Sequence, residues 1–303
     1  MARRTRRASR ANDDEIDSPL TGWALFLPAA LFLGVFTYYP AVATFFQSLF
    51  SDPKGGRAAR FIGLDNYRAM LDDATFVHAL VNNLWFALGT IPVSIALAIV
   101  MALLVNRALP GRALVRMSYF APTVLAMVAV ANIWLLIYAP QIGLLNAVVE
   151  RLGGTPHNWL GQPDTALGGV IVVTIWKEAG FFMIFYLAAL QSMPPNLAEA
   201  AALEGASRWH YFWKVTFPLL MPTTLFVMVN AVVNAFRMVD HILVMTKGGP
   251  DDASTLLLYY IYETAFRYWD TSYAAAMSMV LLAILGVVAI GQFLILDRRT
   301  HYR

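Results

Sequence analysis

Six apolar segments, each long enough to cross a lipid bilayer as a helix, constrain this chain more than any other feature of its sequence. A helix needs about 20 apolar residues to cross roughly 30 Å of hydrocarbon. The six segments cover approximately 22–46, 79–105, 115–139, 166–192, 222–245 and 273–296. Hydrophobic residues make up 59% of the chain and charged residues only 14%, against about 25% charged in soluble domains. The sequence therefore predicts an all-α, multi-pass membrane protein with six transmembrane helices.

The distribution of basic residues predicts how the chain is oriented in the membrane. Lysine and arginine residues near the ends of spans are retained in the cytoplasm. Most of the 22 Lys and Arg residues fall in the N-terminal tail, in 106–116, in 193–221 and after residue 296. These segments would all lie on one side of a six-span protein. We therefore expect both termini to be cytoplasmic, in a cell membrane (inner or plasma membrane).

Composition divides the chain into four parts. Residues 1–20 are highly charged and almost without apolar side chains, so we expect a disordered cytoplasmic tail. Residues 21–78 hold the first transmembrane helix and an outer loop. Residues 79–296 form the core transmembrane domain, with a cytoplasmic loop at 193–221, and 297–303 form a second cytoplasmic tail.

Two outer loops have aromatic and apolar residues at helical spacing. Their sequences are FIGLDNYRAMLDD and TLLLYYIYETAFRYWD. Such a pattern in a segment too short to cross the bilayer is typical of a helix that lies at the membrane interface. We expect a short helix in each loop.

The motifs of several enzyme classes are missing from the sequence. There is no cysteine, and the chain has neither a G-x-x-x-x-G-K-[ST] phosphate loop nor an H-E-x-x-H or G-x-S-x-G motif. The five histidines are scattered, and the net charge of +3 comes from basic residues at membrane boundaries. We therefore expect no catalytic residues, no metal site, no cofactor and no nucleic-acid partner.

The cytoplasmic stretch MPPNLAEAAALEGASRW reads as two short helices around a turn. Pro194 and Pro195 end the fourth span, and Asn196 can cap the next helix. Gly205 suits a left-handed stop, and Ser207 can cap a second helix. The alanine-rich first helix with its one carboxylate can dock in a groove of another protein, or rest on the bilayer surface as an ordinary loop helix. The residues alone leave both readings open.

The same stretch resembles the cytoplasmic signature of binding-protein-dependent ABC importer permeases. That signature reads E-A-A, three residues, G, nine residues and I-x-L-P, and five residues match it in register: Glu199, Ala200, Ala201, Gly205 and Pro218. Val215 and Phe217 replace the usual isoleucine and leucine, and Glu204 stands where sugar permeases usually have aspartate.

The resemblance extends along nearly the whole chain. FIGLDNYRAML, NWLGQPDTA, QSMPPNLAEAAALEGASRW and MTKGGPDDAST are similar to segments of sugar-type permeases and occur in the same order. The run YLAALQSMPPNLAEAAA leans toward the glycerol-3-phosphate subtype. The resemblance implies a type I, maltose-permease-like transmembrane domain with a coupling helix, whose glutamate sits in a cleft of the ATPase. The implied coupling residues are Glu199, Ala200, Ala201, Gly205, Ser207 and Arg208.

The resemblance also implies partners. A second, related permease would form a heterodimer with this chain, and two ATP-binding cassette ATPases would bind ATP and magnesium on the cytoplasmic side. An extracytoplasmic solute-binding protein would deliver a sugar, a polyol or a glycerol phosphate derivative. This chain itself, embedded in the lipid bilayer, would be a non-catalytic permease subunit.

Polar residues inside two of the spans are candidates for a substrate pathway, because charged groups in hydrocarbon usually face a cavity. They are Lys177, Glu178, Asn230, Asn234, Arg237, Asp240 and His241. Steps of four, three and four residues put four of them on one face of the fifth helix: Asn230, Asn234, Arg237 and His241. Asp240 could then pair with Arg237. The alternative is that these groups form internal ion pairs that hold helices together.

A second function class uses the same polar residues. Glu178, Asp240 and His241 could relay protons in a self-sufficient secondary transporter. That class predicts inverted repeats with paired broken helices, and the sequence shows no such repeat.

Overall fold

The computed structural model describes residues 19–53, 58–106 and 111–297. This part of the chain is helical apart from its loops and one isolated β-bridge between Phe50 and Phe61. The tails expected at 1–20 and 297–303 lie almost wholly outside the described residues. The all-α architecture expected from the apolar segments is confirmed for the rest.

The first span consists of α1 (Pro19–Leu33), a π-helical segment (Gly34–Tyr38) and α2 (Tyr39–Ser48). Its apolar stretch is not buried within the chain. Only α2 packs extensively on another span, the last helix α14 (Thr271–Asp297), where the Gln47 amide donates a hydrogen bond of 2.9 Å to the Thr271 hydroxyl. Lipid or another chain must therefore cover most of this helix.

Two long helices form the centre of the fold. They are α4 (Ala74–Asn106) and α8 (Pro163–Ser192), which pack against each other along their length. The fifth span, α11 (Phe217–Arg237), packs on both. Their shared core includes Tyr186 and Leu220, which are fully buried.

The third predicted span, 115–139, is sharply bent and is not one continuous helix. It consists of α5 (Arg112–Val124) and α6 (Met127–Ile137), whose axes meet at 105°. Pro122 lacks the N–H that would continue the hydrogen-bond ladder, and Leu125 and Ala126 are extended. The described residues hold five helices that are long and apolar enough to span a membrane, or six if the bent pair is one span.

The fifth predicted span, 222–245, is also interrupted. Helix α11 ends at Arg237, Met238 is extended, and a short helix α12 (Asp240–Met245) follows. At its cytoplasmic end α11 continues from α10 (Arg208–Tyr211) through a π-helical segment, Phe212–Thr216.

The remaining helices are short. On the side that the sequence predicts to be the outer one are α3 (Asp65–Asp72), α7 (Leu144–Arg151) and α13 (Leu257–Tyr262), the last continued by a π-helical segment, Glu263–Arg267. Helices α3 and α13 confirm the two helices expected in the outer loops. Helix α9 (Pro195–Leu203), in the loop that the sequence predicts to be cytoplasmic, follows the fourth span directly.

Candidate functional site

The cytoplasmic loop forms the two helices around a turn that its sequence predicts. Helix α9 starts after Pro194, which is the N-cap with extended backbone (ψ 129°). Asn196 lies inside the first turn and makes no cap, so its predicted capping role was wrong. A proline at the first helical position needs no capping partner, because it has no N–H to satisfy.

The turn after α9 is closed by backbone hydrogen bonds. The Ala206 N–H donates to the Ala201 carbonyl at 2.9 Å and the Gly205 N–H donates to the Ala202 carbonyl at 3.1 Å. This pair of bonds is a Schellman motif, which requires a left-handed residue. Gly205 supplies it with φ +70°. The next helix starts at Ser207, whose hydroxyl accepts from the His210 N–H at 3.2 Å.

Helix α9 projects from the rest of the chain. None of its residues is buried, and Leu203 is 90% exposed. The Glu199 carboxylate is exposed and has no hydrogen bond or ion pair within the part of the chain that the structure describes. Turns therefore fix both ends of α9, and the side chains between them are accessible to a binding partner.

An aromatic cluster connects the second cytoplasmic helix to the fifth span. The Trp213 ring lies 5.6 Å from Trp209 and 5.0 Å from Phe217, between ring centroids. Beside it, the ends of α4, α8 and α9 enclose a cleft of about 600 Å³, which Arg208 also lines. The start of α9 therefore borders the same cleft as the ends of α4 and α8.

Glu178 and Asn234 meet in the middle of the membrane-spanning core. The Asn234 amide donates to the Glu178 carboxylate at 3.0 Å, and Glu178 is 8% exposed. Together with Thr90 and Ser94 they line a small pocket between α4, α8 and α11. The Ser94 hydroxyl oxygen is buried and has no partner among the described residues. The Ser94 hydroxyl can therefore form a hydrogen bond with a further group in this pocket.

Lys177 lies next to Glu178 but contacts different groups. Its ammonium donates to the carbonyl of Leu125 at 2.6 Å and to that of Pro122 at 3.1 Å. Both carbonyls belong to the end of α5, where the third span breaks. Lys177 therefore holds the break in the third span, and it forms no ion pair with Glu178 in the described chain.

The predicted polar face of the fifth span is divided by the break after Arg237. Asn230 donates to the Phe226 carbonyl of its own helix at 2.8 Å. Arg237 and Asp240 are both exposed and form no ion pair in the described chain, so their expected pairing was wrong. The pairing needed a continuous helix, and the interruption removes the i,i+3 geometry.

His241 packs against α8 one turn from Glu178, because Thr174 and Glu178 are four residues apart on that helix. It is fully buried, with Nε2 3.4 Å from the Thr174 hydroxyl and its ring 5.8 Å from that of Phe86. Its Nδ1 has no partner in the described residues. Within these residues no chain of hydrogen bonds joins Glu178, Asp240 and His241, which the proton-relay hypothesis required.

Sequence reasoning missed a carboxylate on the outer side. Asp73 Oδ2 accepts hydrogen bonds from the hydroxyls of Tyr260 and Tyr273, both at 2.7 Å. Its Oδ1 caps α4 by accepting from the N–H groups of Thr75 and Phe76. Burial opposes ionisation of Asp73, but the hydrogen bonds outweigh it and lower its pKa below the usual value. An aspartate directly before a long apolar run was the signal for the cap.

Asn83, which by its place near a span boundary could have met lipid headgroups, instead binds within the chain. It is fully buried on α4, where its amide donates to the Ala235 carbonyl at 3.2 Å and accepts from the Leu257 N–H at 3.1 Å. The neighbouring Asn82 donates to the carbonyls of Asp252 and Thr255. These amides attach the outer loop and α13 to the core. An asparagine pair in an apolar segment carries no sequence signal for its partners.

Comparison with known proteins gives the family. Residues 81–302 match the family model described as binding-protein-dependent transport system inner membrane component. The chain is 30% identical over 281 residues to an sn-glycerol-3-phosphate transport system permease protein of Agrobacterium fabrum, covering 92% of this chain and 96% of that protein. It is 31% identical over 276 residues to a trehalose/maltose transport system permease protein of Thermococcus litoralis, covering 90% and 94%.

A solved structure gives the same fold. It is a bacterial alginate ABC transporter in complex with an alginate pentasaccharide-bound periplasmic protein, with a TM-score of 0.83 at 24% identity, covering 95% of this chain and 97% of the other. The structural match and the family match each cover most of the chain. This chain therefore belongs to the family of binding-protein-dependent transport system inner membrane components.

Proposed function

We propose that this chain is the permease subunit of an ATP-driven importer that moves a polyhydroxylated small solute across a cell membrane by alternating access. Its relatives are ABC permeases for sugars and glycerol-3-phosphate. Separate ATPase subunits would bind ATP and magnesium, and a second, related permease would complete the pathway. The similar transporter crystallised with its periplasmic protein supports a solute-binding protein as a further partner.

The observation that carries this proposal is the exposed cytoplasmic helix α9. It presents Glu199 without an internal partner, and Ala200 and Ala201 leave the helix surface narrow enough to enter a cleft. The Schellman turn at Gly205 fixes where the helix ends, so a force on α9 reaches α8 and α11 through short connections. A helix of this kind can transmit nucleotide-driven motion to the spans.

We place the solute pathway next to the break in the fifth span. Asn230, Asn234 and Glu178 offer amide and carboxylate groups that can hydrogen-bond hydroxyls. Arg237 and Asp240, both exposed and without an ion pair in the described chain, add one charge of each sign. This set suits a neutral polyol or sugar, and Arg237 could also hold a phosphate. His241 is buried against Phe86 and Thr174, so we give it a supporting role on the pathway wall.

The experiment that tests this proposal is co-purification from the native membrane. A tagged chain is extracted gently and its partners are identified by mass spectrometry. We expect a second permease and an ATPase with a phosphate loop, in stoichiometric amounts. The solute-binding protein can then be screened against sugars, polyols and glycerol phosphates by the shift in its melting temperature. A chain recovered alone that transports without ATP would overturn the proposal.

A further inference from the structure

The break in the third span leaves backbone carbonyls without helical partners inside the membrane-spanning region. The last carbonyls of any helix lack intrahelical N–H donors, and lipid offers no replacement. At the end of α5, Leu125 is extended with ψ 138°, so the ladder cannot continue into α6. A sharp break of this kind persists only where another group supplies the missing donors.

Lys177 supplies these donors from the neighbouring span. It lies half-way along α8, and its ammonium reaches the Leu125 carbonyl at 2.6 Å and the Pro122 carbonyl at 3.1 Å. The positive charge also suits the negative end of the α5 dipole. In a straight helix a backbone N–H would occupy the Leu125 carbonyl. Each contact of the ammonium therefore stabilises the broken conformation relative to a straight helix.

Gly180 brings the two backbones close enough for this contact. It lies one turn after Lys177, and a β-carbon there would clash with the carbonyl oxygen of Tyr119 on α5. The end of α5 is therefore pressed against α8 by a residue without a side chain and fixed by the lysine beside it. Gly180 and Lys177 therefore both fix the C-terminal part of α5 against α8.

The segment beyond the break packs with the segment beyond the other interrupted span. Val130 and Ala131 of α6 share a buried cluster with Met245 of α12 and Val173 of α8. The Tyr138 hydroxyl after α6 donates to the Gly169 carbonyl of α8 at 3.1 Å. Helices α6 and α12 thus pack together against the outer half of α8, and each follows its own span after a non-helical link.

We propose that Lys177 is a positioning residue that sets the hinge between α5 and α6, and that the angle at this hinge changes when the pathway opens outward. This rests on the proposed alternating-access function. The role differs from solute binding, because both contacts of the ammonium are to backbone carbonyls. Hinges in proteins are commonly a few loop or element-terminal residues, such as Leu125 and Ala126 between α5 and α6.

The test measures the angle between α5 and α6 directly by the distance between two spin labels. Leu114 on α5 and Leu136 on α6 are 70% and 63% exposed, and the chain has no native cysteine. Both are replaced by cysteine and labelled in the full complex, with partner cysteines removed. We expect a narrow distance distribution in the parent, a broadened one in Lys177→Met, and recovery of the narrow one in Lys177→Arg.

Lys247→Met is the matched control, because Lys247 is exposed and its side chain has no hydrogen bond in the described chain. It should leave the distribution unchanged. A Lys177→Met distribution identical to the parent would overturn the proposal. If the Lys177→Met protein cannot be purified, the hinge is tested in the parent protein. The distance between the two labels should then differ between the nucleotide-free and the ATP–vanadate-trapped complex. A constant distance would refute the hinge. ATP-independent transport would refute the proposed function. It would not change the comparison of the label distance between the parent protein and Lys177→Met.

Discussion

The outer network around Asp73 gives the most quantitative prediction. The carboxylate ties together α4, α13 and α14 by accepting two phenol hydrogen bonds and two backbone ones. Hydrogen bonds to a charged group contribute about 1.5–3 kcal/mol each. Asp73 is half-buried, and water screens its charge, so we use about 1 kcal/mol for each phenol bond.

Tyr260→Phe should therefore destabilise the protein by about 1 kcal/mol, roughly a fivefold change in the folding equilibrium. Asp73→Ala removes both phenol bonds and the helix cap, which is itself worth about 1 kcal/mol, so it should cost about 3 kcal/mol. The double variant should be less destabilised than the sum of the two single variants, by about 1 kcal/mol. Tyr262→Phe is the control, since the Tyr262 hydroxyl has no hydrogen bond in the described chain, and it should stay within about 0.5 kcal/mol of the parent.

The assay is unfolding of the purified complex in nanodiscs, followed by tryptophan fluorescence. Acid adds a second readout. Because the pKa of Asp73 is lowered on folding, its contribution is complete above the unfolded pKa of about 4 and is lost as the pH falls through the lower folded value. Asp73→Asn should flatten this acidic limb. Strictly additive single variants, or an unchanged acidic limb in Asp73→Asn, would refute the assignment.

Three further variants test the core and the cytoplasmic loop. Gly180→Ala should lower stability by about 1–3 kcal/mol because its β-carbon meets the α5 backbone, whereas Gly168→Ala, with open space around it, should be neutral in the same unfolding assay. Asn83→Leu should cost about 1–3 kcal/mol by leaving the buried Leu257 N–H unpaired; equal stability of the parent and the variant would contradict this. Gly205→Val should strain the left-handed turn by about 1–3 kcal/mol and weaken recovery of the ATPase in pull-downs, and full ATPase recovery would count against the coupling role of this turn.

The cytoplasmic loop could be predicted from sequence because its structure depends on local chemistry. Pro194, Gly205 and Ser207 fix where each helix starts and ends by their own backbone and side-chain preferences. The predicted helix cap at Asn196 was wrong, because the proline at the first helical position made a side-chain cap unnecessary.

The two interrupted spans were less predictable, because Pro122 indicates a kink in the third span but not its size, and no local signal marks the break in the fifth. Hydropathy shows that 115–139 and 222–245 are apolar enough for a membrane, but it contains no information on whether a helix stays straight. The broken third span depends on Lys177, which is 52 residues from Leu125 in sequence. Contacts of that kind are decided by packing between spans. The polar groups were correctly recognised as unusual, yet their partners depended on breaks that the pattern did not reveal.

The measurement that tests the central claim most directly is solute uptake by the purified complex in liposomes, with and without ATP on the cytoplasmic side. The account predicts uptake that needs ATP and is abolished by Glu199→Arg, while Glu150→Arg, at an exposed outer acid, keeps it. Uptake that proceeds without ATP, survives Glu199→Arg and is lost in Asp240→Asn would contradict the account and favour a proton-coupled carrier.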